Sequence, residues 1–190
     1  MGFELPTGKC DLVTSVTGGK MKRPAFFSFH YDNDAWRASQ VRNIGVVDGN
    51  VPVSDNDWET VKRGGDKAIA RWIDEQLKYK QVVIVLIGSQ TANRPWVKYE
   101  IKRAWEMGKP ILGIFIHGLK NVFGNTAHQG QNPFDKVTTR NGEPLSRYVY
   151  TYNPAPYGDS KAVYNEIMVN LGYWVETAIN QRKNLSVWGL

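Results

Sequence analysis

The run Val82-Val-Ile-Val-Leu-Ile87 decides how this chain is read. All six residues are apolar, and all but Leu86 are β-branched. A strand that alternates apolar and polar residues has one wet face. A strand apolar throughout needs both faces covered, as in the middle of a parallel sheet. The run stops at Gly88-Ser89, a turn signal.

Working outward, a second such run is Ile111–Ile116 (ILGIFI), and a third is Ala25–Phe29, between Pro24 and the polar stretch His30–Asp34. Helical spacing fills the intervals. Ala35 to Asn43 reads as a short helix with Asp34 as its N-cap. Ile69, Trp72, Ile73 and Leu77 follow helical spacing within a stretch from Asp57 to Lys78, capped by Ser54 or Asp55 and weakened at Gly64-Gly65. A further helix is expected from about Arg94 to Met107, closed by Gly108 and Pro110. The last, capped by Asp159 or Ser160, runs to about Gln181. Gly45–Ser54 reads as a loop with one short strand, and Arg147–Tyr152 (RYVYTY) alternates like an edge strand.

Strands that alternate with helices argue for a parallel sheet covered on both sides. Right-handed crossovers then favour a doubly wound, flavodoxin-like α/β fold: five mainly parallel strands in the order 2-1-3-4-5, with helices on both faces. Ligands of such sheets bind beyond the carboxyl ends of the strands. Those ends are His30–Asp34, the loop after Gly45, Gly88–Asn93 and the loop from His117. Residues 117–146 lack periodicity and form a long insertion, expected on that same rim. Residues 1–20 are expected to be an appendage or leader ahead of a start at Met21, and 21–190 one domain.

Composition bounds the function. The chain has 190 residues, 42% hydrophobic and 22% charged, enough for a core without staples. Cys10 stands alone, which fits a reducing cytoplasm. No signal peptide and no apolar stretch of roughly 20 residues is found, so a membrane location is not expected. The net charge of +6 comes from dispersed basic residues, which suits an anionic small ligand better than nucleic acid. Phosphate-loop and dinucleotide fingerprints are absent, and His30, His117 and His128 lack metal-ligand spacing, so neither a metal nor a bound cofactor is expected. A phosphoacceptor receiver would need an aspartate where Ile87-Gly88-Ser89 stands.

What remains is a signature. Ser89-Gln-Thr-Ala-Asn-Arg-Pro-Trp96-Val-Lys-Tyr-Glu100 follows an apolar strand. With Pro24-Ala-Phe-Phe-Ser-Phe-His-Tyr-Asp32, Leu86-Ile-Gly-Ser-Gln-Thr91 and Asn132-Pro-Phe-Asp135, it resembles the TIR-like family, in the branch that includes the TIR proteins of Thoeris anti-phage systems. The resemblance covers roughly residues 23 to 135. It implies cleavage of the nicotinamide–ribose bond of NAD, with NAD as substrate rather than cofactor and Glu100 as the essential residue. It further implies a cyclic ADP-ribose-type product that acts on a nucleotide-sensing effector, a phage-derived trigger, and self-association through TIR–TIR contacts.

The chemistry is consistent with one carboxylate. Nicotinamide leaves NAD neutral and needs no general acid, while the ribose becomes oxocarbenium-like. A nearby carboxylate stabilises that charge. His30, Tyr31, Asp32, Ser89 and Trp96 are the candidate residues for binding NAD. Bland readings stand beside them. Glu100 could be a solvated partner of Arg103, Trp96 a core residue and Ser89 a turn cap. Arg94 reads either as a phosphate ligand or as an exposed cation, and Asn132 and Asp135 read as turn formers. A TIR-like scaffold without turnover is the rival to the enzyme.

Overall fold

The computed structural model describes residues 22–49, 61 and 63–187. The expected appendage at 1–20, the caps Ser54 and Asp55 and the segment around Trp58 lie outside the described residues.

The element order is β1 (Pro24–Ser28), α1 (Tyr31–Arg42), β2 (Asp48–Gly49), α2 (Gly65–Lys78), β3 (Val82–Ile87), α3 (Pro95–Glu106), β4 (Ile111–Phe115), β5 (Thr151–Tyr152) and α4 (Ser160–Val187). The sheet runs β2-β1-β3-β4-β5 with every pair parallel, as the sequence predicts. In register, Ala25 faces Val82, Ser28 faces Val85, and Val83 faces Ile111. Every residue of β3 is fully buried, because each face of that strand meets its own core.

The period of two along a strand sorts the sheet residues between those cores. Ala25, Phe27, Val82, Ile84, Leu86, Leu112 and Ile114 pack against α1 and α4. Phe26, Val83, Val85, Ile87, Ile111 and Phe115 pack against α2 and α3. The second core is completed by Phe134, Val137, Leu145 and Val149 from the connection between β4 and β5. In that connection the described structure has loops and two 3-10 turns, Pro133–Lys136 and Leu145–Arg147, and no α-helix. The insertion thus roofs the sheet with its own apolar residues.

Three expectations need correction. Helix α1 starts at Tyr31, with His30 at the N-cap and no side-chain cap bond. Asp34 lies inside the first turn, because its carboxylate is drawn to Arg37 Nη1 at 3.1 Å. The strand expected at Arg147–Tyr152 is reduced to Thr151–Tyr152. Tyr148 and Val149 turn back onto the Leu145 carbonyl, and Val149 buries its side chain, so the alternation marks a turn with one inward residue. Helix α4 runs past Gln181 to Val187, since no Gly or Pro interrupts the sequence between Gly172 and Gly189. Its cap is Asp159, whose Oδ1 accepts from the Ala162 amide at 2.8 Å.

Candidate functional site

Glu100 is carried to the sheet by helix α3. The helix begins with Pro95, whose fixed φ and missing N–H suit a first helical position. Val97, Ile101 and Ala104 bury one stripe of α3 in the second core. Glu100 borders that stripe and is half-buried. Opposite it lies the end of β1. Alternation puts Ser28 on the same face as Phe26, towards α3. Ser28 is 1% exposed, and its hydroxyl donates to Glu100 Oε2 at 2.5 Å.

This carboxylate has an unusual environment. Burial pushes the Glu100 carboxyl up to about 7, and the Ser28 hydrogen bond only partly offsets that rise. Among the described residues, no cation compensates it. Arg103, one turn on, turns instead to α2, where its Nε meets Asp74 Oδ1 at 2.8 Å and its Nη2 meets Asp74 Oδ2 at 3.1 Å; its Nη1 meets Glu106 at 3.1 Å. The reading of Glu100 as a solvated partner of Arg103 is therefore wrong.

The remaining candidates surround the strand ends unequally. His30 follows β1 and is 5% exposed, yet neither ring nitrogen has a hydrogen-bond partner among the described residues; Asp32 Oδ2 approaches Nε2 only to 3.5 Å. Burial lowers the His30 pKa, helped by Arg94 and opposed by Asp32 and Asp34, which favours the neutral ring. Asp32 itself points to solvent, with its side chain 80% exposed. Tyr31 is exposed and stacks on Phe29 with centroids 6.3 Å apart. Trp96 lies one turn before Glu100 and packs on the second core, edge-on to Tyr99 at 5.7 Å.

At the end of β3, the turn is tied by Thr91, not by Ser89. Thr91 is buried, and its Oγ1 accepts from the Gly88 amide at 2.9 Å. Arg94, at the N-cap of α3, holds Gln90 through its side chain at 3.1 Å. Asn132 is a turn former as expected, with Oδ1 accepting from the Phe134 amide at 3.0 Å.

Two features escaped the sequence reading. The first is the buried pair Asp34–Arg37. Arg37 Nε donates to the Leu119 carbonyl at 2.8 Å and Nη2 to that of Asn125 at 3.0 Å, so α1 grips the insertion. Burial pushes the Asp34 carboxyl up despite Arg37, and Oδ2 has no hydrogen-bond partner among the described residues. The second is a close backbone crossing above β3. A Cβ on Gly130 would sit 2.1 Å from the Gly88 oxygen, and one on Gly88 would sit 2.0 Å from Asp34 Oδ2. Both positions therefore require glycine. That contact places the insertion on the carboxyl-end rim, where it was expected. A usable signal existed for Ser28, a hydroxyl in an otherwise apolar strand; none existed for Arg37 or Gly130.

Among the described residues, no group of three or more His, Cys, Asp and Glu is placed to hold a metal ion, and no helix is long and apolar enough to cross a membrane. The site offers the Glu100 carboxylate, desolvated and anchored on one oxygen, at the rim where parallel sheets bind ligands, while the other buried carboxylate there, Asp34, is paired with Arg37.

Comparison with known proteins agrees with the signature. Residues 26–121 match the family model described as Thoeris protein ThsB, TIR-like domain. A protein of Bacillus cereus (strain MSX-D12), named as a candidate cyclic ADP-D-ribose synthase ThsB1, is 40% identical over 145 residues, covering 69% of this chain and 72% of the relative.

Proposed function

Because the chain belongs to the TIR-like domain family of the Thoeris ThsB proteins, we propose that it cleaves the nicotinamide–ribose bond of NAD and makes a cyclic ADP-ribose-type signal in anti-phage defence. The observation that carries the proposal is the Glu100 carboxylate, half-buried, without a cation among the described residues and anchored by Ser28 at the sheet rim.

The residues suggest the following course. NAD binds over the carboxyl ends of β1 and β3, between His30, Ser89 and the insertion. The C1′–N bond breaks, and its electron pair leaves with nicotinamide, neutralising the pyridinium. Positive charge develops on the ribose, and ionised Glu100 stabilises it. Low dielectric around the carboxylate strengthens that attraction. A ring nitrogen or hydroxyl within the same molecule then attacks C1′ and closes the cyclic product; where the attacking atom carries a proton, that proton is released. Attack by water would give linear ADP-ribose instead, and the insertion above Gly88 is the element that would exclude water. Ionised Glu100 is the active form, so turnover should rise as pH passes through about 7.

The wider setting follows the same reading: a cytoplasmic protein, woken by a phage-derived trigger, associating through TIR–TIR contacts and signalling to a nucleotide-sensing effector. Residues 21–190 would form its single domain.

The test is incubation of the triggered protein with NAD, followed by chromatography of nicotinamide and the nucleotide product. Nicotinamide together with a cyclic isomer is the expected result. No nicotinamide release from triggered or clustered protein would leave the scaffold reading in its place.

A further inference from the structure

A second cleft lies on the far part of α3. It has a volume of about 420 Å³, and its lining includes Lys102, Trp105, Arg140, Asn141, Leu145 and Arg182, but not Glu100. Lys102 and Trp105 are three residues apart on α3 and share a face. The opposite wall is a small hairpin of the insertion. Thr138 pairs with Pro144, the Thr139 amide bonds the Glu143 carbonyl at 2.8 Å, and the Gly142 amide bonds the Thr139 carbonyl at 3.0 Å. Leu145 closes the floor, fully buried. The wall that carries Arg140 and Asn141 is thus held by backbone bonds rather than left as an open loop.

The charge in this cleft is unspent. Lys102 and Arg140 make no hydrogen bond or ion pair among the described residues. The carboxylate at the rim, Glu106, is already bonded to Arg103 at 3.1 Å. The Arg182 guanidinium lies over the Trp105 ring, 4.5 Å from its centroid, and the Tyr148 ring packs against the indole at 5.8 Å, so the planar face turned to the cleft is the Arg182–Trp105 stack. Two available cations, a fixed aromatic ring and an apolar floor, in a volume within the range of small-molecule sites, describe one kind of ligand. Cations hold a phosphate, and a ring lies along an aromatic wall.

We propose that the cleft between α3 and the 138–145 hairpin binds a phosphorylated nucleoside, its phosphate held by Lys102 and Arg140 and its base laid against the Arg182–Trp105 stack. The site is separate from Glu100 and does not depend on NAD cleavage. A nucleotide bound here would clamp the hairpin to α3, the helix that carries Glu100.

The test is an NMR titration of the full chain with AMP, adenosine and inorganic phosphate, following the Trp105 indole N–H and the Asn141 amide. AMP should shift both signals to saturation in the wild type and in Glu100→Gln. Adenosine or phosphate alone should bind at least about tenfold more weakly, each lacking half of the contacts. Lys102→Ala with Arg140→Ala should weaken AMP by a similar factor. Both residues are exposed, so the melting curve of this variant should match that of the wild type. The proposal is overturned if AMP leaves the two signals unmoved. It also fails if phosphate binds as tightly as AMP, or if the double variant binds AMP as the wild type does.

Discussion

Glu100 and Arg103 stand one turn apart on the same helix and carry opposite charges. Arg103 is bonded twice to Asp74 on α2 and once to Glu106, with about a third of its side chain in solvent. Its charge is matched and wet. Glu100 faces the sheet, has a hydroxyl for a partner and no matching cation among the described residues, and its carboxyl is pushed up to about 7 by burial. Helix geometry would let the two pair. Packing separates them: the stripe Val97, Ile101, Ala104 sets the rotation of α3, so one side chain meets α2 and the other meets β1. A matched ion pair stabilises the fold and does little else. An unmatched, desolvated carboxylate weakens the fold and is available for chemistry.

Glu100→Gln should show the contrast most strongly. Turnover should fall by at least about a hundredfold, the scale of losing a single electrostatic stabiliser. The fold should not suffer. The carboxyl titrates at about 7 in the folded chain, above its ordinary 4.5. The folded state is thus favoured when Glu100 is protonated; that advantage is complete below 4.5 and is lost as pH rises through about 7. Glutamine removes this dependence, so at pH 8 the variant should melt at or above the wild-type temperature. Nicotinamide release and paired melting curves measure both effects. A large drop in melting temperature would mean that Glu100 holds the helix rather than the chemistry.

Ser28→Ala sharpens the other side of the pair. The hydroxyl stabilises the ionised carboxylate, and its loss should raise the Glu100 pKa by roughly one unit, as expected of a hydrogen bond to a charge. The acid limb of the pH–rate profile should move up accordingly. Turnover at pH 7 should drop about fivefold and recover in alkali, and Ser28→Thr should restore the profile. An unmoved acid limb would show that Ser28 packs without tuning Glu100.

Arg103→Ala should have the smallest effect. A partly exposed ion pair contributes roughly 0–1 kcal/mol. The variant should lose about that much stability in a denaturant titration and keep turnover within about twofold, with its acid limb in place. An acid limb displaced as far as in Ser28→Ala would couple the two charges after all, and the contrast would collapse.

Much of this was legible beforehand, for a reason that differs from element to element. Strands β3 and β4 announce themselves because a doubly covered strand is apolar at every position. Helix α3 is legible because its proline, its stripe and its terminal glycine are all local. Glu100 stood out through the signature that precedes it. The rim beyond the strand ends was harder. Asp34 has the side chain of a cap, but Arg37 takes it inward, and no pattern in residues 31–42 marks that choice. Arg147–Tyr152 alternates like a strand, yet Leu145 and Val149 fold into the second core and leave two residues for the sheet.

The amino-acid sequence by itself determined the layers and singled out Glu100 as the candidate carboxylate, since both rest on patterns spanning a few neighbouring residues, and the handedness of crossovers led from the layers to the strand order. The tertiary structure alone decided what that carboxylate would be. Ser28 and Glu100 are 72 positions apart, and Arg37 and the Asn125 carbonyl are 88 apart. Gly130 meets Gly88 only after the insertion has folded over β3. The pKa of a carboxyl, and the partner that an arginine takes, depend on which groups arrive within a few ångströms once the chain has closed. A dielectric environment belongs to a place in the fold, and no single residue carries it.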